Sequence, residues 1–309
     1  MDDTLNITYL TFDGFVNIDI KLRYLCFAIM LAVYILVICF NLTIVCLISR
    51  HKNLHEPMYI FIAALLINSF IFSTNIYPKL LIDVLSDNQI ISYSACFFQW
   101  FIYYSIGGAE VLLLAAMSYD RYVSICKPLQ YPTIMRKTTV ILFLALAWIV
   151  PVCEVTVGAV LYANVKICRY TLKGIFCNSS IYTLQCVRSA VISLYGVGML
   201  LNNGVFPLLF ILFTYTRILI ISYRSCKSVR RKAAQTCLPH LLVLINFCCF
   251  IFYDVVIVRL ELEFAKIVCL IMALQTILYH PLFNPIIYGV KMKEISKHLK
   301  SFLTQVKSH

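Results

Sequence analysis

Met117-Ser118-Tyr119-Asp120-Arg121-Tyr122-Val123-Ser124-Ile125-Cys126 sets an acid beside a base at the end of a long apolar run. Behind it, residues 88–109 carry no charged side chain, and ahead of it come Lys127, Pro128 and a polar loop. A charge pair in that position is tolerable where one side is solvated and the other is held by protein, as at a membrane boundary. Arg121 is then either an anchor at that boundary or a moving part.

The rest of the chain has the same character. Its 309 residues are 61% hydrophobic and only 13% charged, with a mean hydropathy of +0.87, far from the balance of soluble domains. Charge-free apolar runs fall at 24–49, 57–78, 88–109, 138–153, 189–216, 233–253 and 267–290. Most can cross a hydrocarbon core of about 30 Å as helix, the only form that satisfies its own backbone within one segment in lipid. The run 138–153 must extend past Glu154 to span. The expected fold is an all-α membrane protein: a seven-helix transmembrane bundle followed by a short amphipathic helix.

Loops 50–56, 121–137 and 217–232 and the tail 291–309 hold 17 of the 26 Lys and Arg residues. The positive-inside rule makes that side cytoplasmic. Residues 1–23 are then an extracellular tail, 24–290 the bundle, and 291–309 a cytoplasmic amphipathic helix and tail. The net charge of +12 reports membrane topology and calls for no nucleic acid. Residues 1–23 are too polar, and the first apolar run too long, for a cleavable signal peptide. Asn6-Ile7-Thr8 reads as a glycosylation acceptor. Asn41-Leu42-Thr43 matches the pattern inside span one, where a glycan is impossible and Asn41 becomes a buried polar residue; Asn178-Ser179-Ser180, in an outer loop, is a further candidate.

Pro57 suits the first turn of span two, and Pro78 predicts a kink or stop near its outer end. Asn68, in mid-span, predicts an interhelical hydrogen bond. Cys96 opens span three, and Cys168, Cys177 and Cys186 lie in the loop between spans four and five. Four cysteines on an oxidising face permit three pairings, all open on spacing alone. Span five holds Asn202, Asn203 and Pro207. The basic segment Ser222–Lys232 reads as a boundary near anionic lipid and as a docking surface for a cytosolic partner. Pro281 and Pro285 predict a locally irregular span seven. Met292, Ile295, Leu299 and Phe302 then recur at helical spacing between lysines.

Asp120-Arg121-Tyr122 closing span three and Asn284-Pro285-Ile286-Ile287-Tyr288 closing span seven resemble the rhodopsin-like G-protein-coupled receptors. Leu54-His55-Glu56-Pro57-Met58-Tyr59, Met117 to Leu129, Lys232 to His240 and Pro281 to Tyr288 narrow the likeness to vertebrate odorant receptors, closest to the group for water-soluble odorants. The resemblance covers roughly residues 41 to 292, in order. It implies a plasma-membrane receptor without catalytic chemistry, cofactor or metal. Such a receptor binds a small-molecule odorant and activates a stimulatory heterotrimeric G protein to raise cyclic AMP. It further implies that Cys96 pairs with Cys177 and Cys168 with Cys186. Arg121 would rest on Asp120 in the inactive state and face the G protein when active, with Tyr215 and Tyr288 as partners.

Ser69 stands where rhodopsin-like receptors usually carry a sodium-binding aspartate, so a retained sodium site is not expected. Glu110 fits the acidic position of odorant receptors in span three. A carboxyl there is expected to be protonated and bonded to Asn68, Ser69 or Asn284, and it is the one clear mid-span acid. Phe247-Cys248-Cys249 departs from the Phe-Tyr-Gly stretch common in span six. By position Tyr103, Tyr104, Gly107, Met199, Asn203, Ile251, Asp254 and Val255 resemble pocket-lining sites, each set against ordinary core packing. Asp254, Arg259 and Glu261 are solvated at the interface or bind the charge of a polar ligand. The alternatives are a rhodopsin-like receptor for a non-odorant ligand and a secondary transporter. A transporter predicts internal repeats, and none is seen. Span seven lacks the lysine that a retinal Schiff base needs.

Overall fold

The computed structural model describes residues 8–14, 19–163, 165–223, 237–238, 241–245, 248 and 266–307. Among the described residues five helices are long and apolar enough to cross a membrane: α1 (Ile20–Arg50), α2 (Pro57–Leu85), α3 (Tyr93–Cys126), α4 (Lys137–Ala163) and α5 (Ala190–Tyr223). A further helix, α6 (Lys266–Lys291), bends by 41° between Leu270–Leu278 and Pro281–Val290 and makes a sixth span. It is the seventh span of the sequence reading. The expected sixth, 233–253, lies mostly outside the described residues, as do Asn6, Ile251, Asp254, Val255, Arg259, Glu261 and most of the basic segment. The amphipathic helix α7 (Lys293–Lys307) follows. Its Ile295 is fully buried, and its His298 ring stacks on His51 at the end of α1, centroids 3.9 Å apart.

Local chemistry sets the helix ends. Asp19, Ser92 and Ser189 each cap the first turn of α1, α3 and α5 by accepting a backbone N–H, which relieves orphan donors. Pro57 occupies the first turn of α2, where its missing N–H costs nothing. In α4 the helix runs through Glu154 and Pro151. In α5 the turn Leu201–Val205 widens to a π-helix, Phe206 N–H reaching Leu201 O. Pro207, two residues on, lacks an N–H and would clash with the carbonyl of residue 203 in a regular helix, so the wider turn is the strain-free solution.

α3 is the pivot: 72% of its most apolar stretch is buried, against 22% in α4 and 28% in α1. Ile141, Leu142, Ile149, Phe206, Leu209 and Phe213 stay exposed on the outside of α4 and α5, which is where a bilayer lies against the bundle.

A three-stranded sheet, β2-β1-β3, covers one end of the bundle. β1 (Tyr9–Phe12) runs antiparallel to β2 (Ile90–Ser92) and parallel to β3 (Thr171–Leu172). Tyr9–Phe12 is thus a central strand within a segment that the sequence reading leaves as a polar tail. Its signal is a period of two, with Leu10 and Phe12 inward and Tyr9 and Thr11 outward. Gly14 lies so close to Gly174 that a Cβ would sit 2.4 Å from its carbonyl carbon, and Gly174 itself has φ +145°; both positions need glycine.

Candidate functional site

At the end of α3 away from the sheet, Arg121 donates from Nε to Asp120 Oδ2 at 2.9 Å and forms an ion pair with the same carboxylate through Nη2. Asp120 is fully buried. Its other oxygen accepts the Tyr131 hydroxyl at 2.8 Å, from the one-turn helix Tyr131–Ile134. Burial first, then the Asp120 charge and the bond to it, hold the Tyr131 phenol above its ordinary range, so it stays a donor at any physiological pH. Tyr131 lies just past the motif stretch, and nothing in its spacing marks it. Tyr122 is half-buried, while Tyr215 and Tyr288 are buried in one cluster with Met117. The Tyr215 hydroxyl has no hydrogen-bond partner among the described residues; Arg121 rests on Asp120.

Higher in the bundle, Glu110 is fully buried and accepts amide bonds from Asn68 and Asn284, each at 3.3 Å. Asn284 also donates to Ser69 Oγ at 2.9 Å, and Trp148 Nε1 donates to Asn68 Oδ1 at 3.3 Å. Asn41 bonds Pro281 O at 3.1 Å, satisfying a carbonyl next to the bend in α6. The network ties α2, α3, α4 and α6 at mid-depth, where a polar group without partners is costly. No group of three or more potential metal ligands forms among the described residues.

Under the sheet the structure bonds Cys96 to Cys177 and Cys168 to Cys186. Gln99 Oε1 accepts the Cys177 N–H at 2.8 Å, which fixes the loop over α3. Asn178 is fully buried, and its side chain caps the following turn. That overturns the reading of Asn178-Ser179-Ser180 as a glycan acceptor, because the amide is not at the surface.

The expected ligand residues divide into two groups. Tyr103 is fully buried in an aromatic cluster with Phe72, Tyr104 and Phe176, ring centroids 5.2–5.7 Å apart. Tyr104 and Gly107 are half-buried beside it. Met199 and Asn203 instead face α4. Met199 lies against Gly158, and Asn203 and its neighbour Asn202, both on the π-turn, donate to the two oxygens of Glu154. Tyr195 adds a bond to the Glu154 carbonyl at 2.7 Å. Glu154 is therefore a second intramembrane acid, which corrects the expectation that Glu110 stands alone. No cation lies within ion-pair distance of Glu154 among the described residues. The sequence signal was the need for span four to continue past Glu154.

Gly108 lets these helices meet. A Cβ there would lie 2.8 Å from Pro151 Cβ and 3.5 Å from Asn203 Cγ, and a proline ring cannot swing aside. Gly108→Val is expected to destabilise the bundle by about 1–3 kcal/mol, the range for overpacking. Lower surface expression and a lower melting temperature in detergent would report it; a wild-type melting curve would refute the close packing.

A family model described as olfactory receptor matches residues 30–306. The chain is 32% identical to human olfactory receptor 11G2 over 307 residues, covering 94% of this chain and 86% of that protein. It is 36% identical to human olfactory receptor 1N2 over 226 residues, 72% of each. It is 30% identical to mouse olfactory receptor 4B13 over 302 residues, 96% of each. Among solved structures the fold is similar to squid rhodopsin, with a TM-score of 0.69 at 19% identity, covering 94% of this chain and 88% of that one. At that identity the likeness concerns the fold alone.

Proposed function

This chain belongs to the olfactory receptor family, and from that premise we propose that it senses an odorant carrying a polar or cationic group and activates a stimulatory heterotrimeric G protein. As a family member it is a multi-pass plasma-membrane odorant receptor of the G-protein-coupled type, not an enzyme. The sheet face is extracellular, with Asn6 as its glycan acceptor, and residues 291–309 are cytoplasmic. The excess of Lys and Arg in the opposite loops supports this orientation, as do the two disulfides on the sheet face.

The observation that carries the reading is the course of α3. This one helix starts under the Cys96–Cys177 roof, passes Tyr104 and Gly107, carries Glu110 at mid-depth and ends in Asp120–Arg121. We place the ligand beside Tyr103, Tyr104 and Gly107, with Ile251, Asp254 and Val255 of span six, while Met199 and Asn203, which face α4, bound it on that side. In the active arrangement Arg121 leaves Asp120 for the buried hydroxyls of Tyr215 and Tyr288. Two helix packings thus satisfy one charge differently, and a ligand that prefers one of them shifts the population.

The polarity of the ligand is supported by Glu154, an acid held by two amides, next to Asn203 and with no cation within ion-pair distance among the described residues. In transfected cells, a panel of amino acids, amines, bile-type steroids, nucleotides and neutral volatiles is read out as cyclic AMP. A polar compound is expected to be the agonist. For a cationic agonist, Glu154→Gln is expected to lower potency by roughly tenfold to a hundredfold, the worth of a charge-assisted bond, with Asp254→Asn as comparison. A response confined to neutral volatiles would refute the polar ligand.

A further inference from the structure

We infer that the loop between α4 and α5 is a docking surface for a sulfated glycan, a reading that rests on the extracellular placement of the sheet face proposed above. The charge of the loop is of one sign. Residues 155–253 contain no Asp or Glu, and the loop carries Lys166, Arg169, Lys173 and Arg188, all exposed. Cations collect on the inner side of a membrane protein, so four of them without an acid on the outer side reverse what topology favours. The fold does not neutralise them. Among the described residues Lys166, Arg169 and Lys173 form no ion pair. The acid on the neighbouring segment is Asp13, whose N–H donates to Leu172 O at 2.9 Å, and no ion pair joins it to Lys173.

The three cations stand on a held backbone. Cys186 N–H donates to Lys166 O at 3.0 Å and Arg169 N–H to Leu184 O at 3.2 Å, on either side of the Ile167–Gln185 bridge, and the Cys168–Cys186 disulfide closes this ribbon. The next carbonyl, Tyr170 O, accepts the Thr11 N–H at 2.8 Å. β3 then pairs with β1 and leads into Lys173. From Lys166 to Lys173 the chain covers at most about 23 Å when extended, so one short polymer can cross all three charges. The backbone is ordered before any partner arrives, and docking costs only the freedom of exposed side chains.

Sign and place choose the partner. Anionic lipid is concentrated at the cytoplasmic leaflet, on the other side of the membrane. An acidic protein needs an apolar centre to bury in a stable interface, and among the described residues of this loop only Tyr170 and Val187 are large, apolar and exposed. A sulfated glycan needs no such centre. Its sulfate esters keep their charge at physiological pH and offer oxygens to guanidinium and ammonium groups in charge-assisted bonds, as in heparin-binding basic patches.

The test needs no odorant, so its outcome is independent of the ligand reading. Fluorescent heparin is applied to unpermeabilised cells that lack glycosaminoglycans of their own and express the full chain with an N-terminal epitope tag. Tag-stained cells are expected to bind heparin above untransfected cells and to lose it as salt rises. Dextran sulfate should compete, whereas polyglutamate and unsulfated hyaluronan should not. The triple variant Lys166→Gln, Arg169→Gln, Lys173→Gln should bind about tenfold more weakly at equal staining, the worth of three exposed contacts acting together. Arg23→Gln, which removes a cation already paired with Asp87, should leave heparin binding unchanged. Were the triple variant retained inside the cell, Lys166→Gln and Lys173→Gln singly should each weaken binding about twofold. Tag staining only after permeabilisation would refute the orientation itself, and the site with it. With the tag outside, absent heparin binding, equal competition by polyglutamate or hyaluronan, or undiminished binding by the surface-expressed variants would each overturn the site alone.

Discussion

Replacing Arg121 by Ala is expected to leave the receptor at the cell surface while ligand-driven cyclic AMP falls by on the order of a hundredfold, the loss of ~3 kcal/mol of charge-assisted contact in the active state. Arg121 lies at the end of α3 with its side chain only 15% exposed, so surface staining is the control that separates lost signalling from lost folding. The Asp120 carboxyl left behind keeps the Tyr131 hydroxyl as a hydrogen-bond donor. Asp120→Asn supplies the opposite sign: it frees Arg121 without deleting it, and ligand-independent cyclic AMP should rise. Both are read in one reporter assay normalised to surface staining. A well-expressed Arg121→Ala variant that signals fully would remove Arg121 from transduction.

The two disulfides should differ in rank. Cys96–Cys177 closes 81 residues and Cys168–Cys186 only 18. By loop-closure entropy the first bridge is worth roughly 4.5 kcal/mol and the second roughly 3 kcal/mol. The larger loop bonds α3 to the segment that roofs it, and the Gln99 contact depends on it. Cys96→Ser with Cys177→Ser is therefore expected to abolish surface expression, and Cys168→Ser with Cys186→Ser to reduce it. Flow cytometry on unpermeabilised cells compares them, and the reverse order would refute the ranking.

Much of the architecture was legible in the sequence because lipid permits so few solutions. Charge-free runs read as helices, and Asp120–Arg121 at the end of one of them needed a partner. Asn68 and Glu110 could be paired in advance because a polar group at mid-membrane has almost nowhere to turn except to another. Other features were opaque for equally physical reasons. The joining of Asn202 and Asn203 to Glu154 depends on a widened turn, and the width of a turn is not written in residue spacing. Tyr131 reaches Asp120 across a loop whose path the motif does not fix. Asn178 fits a glycan pattern, but a tripeptide cannot report that its own side chain is turned inward as a cap. In the pocket, Tyr103 packs among rings as most aromatic residues do, so position alone marks nothing about ligand contact.

The central strand of the sheet also sets a timetable. Thr11 bonds Thr171, 160 residues later in the chain, and at ribosomal rates of about 5–20 residues per second the strand waits roughly 8–32 s for that partner to be made. Helices α1 to α4 are synthesised in the interval, while the first segment of the chain has β2 at most to pair with. The sheet thus closes only after α1 to α4 have been made and before α5 and α6 follow, so lesions in it act on a bundle whose first four spans are already in place. A pulse-chase experiment would see them as slow maturation rather than failed insertion.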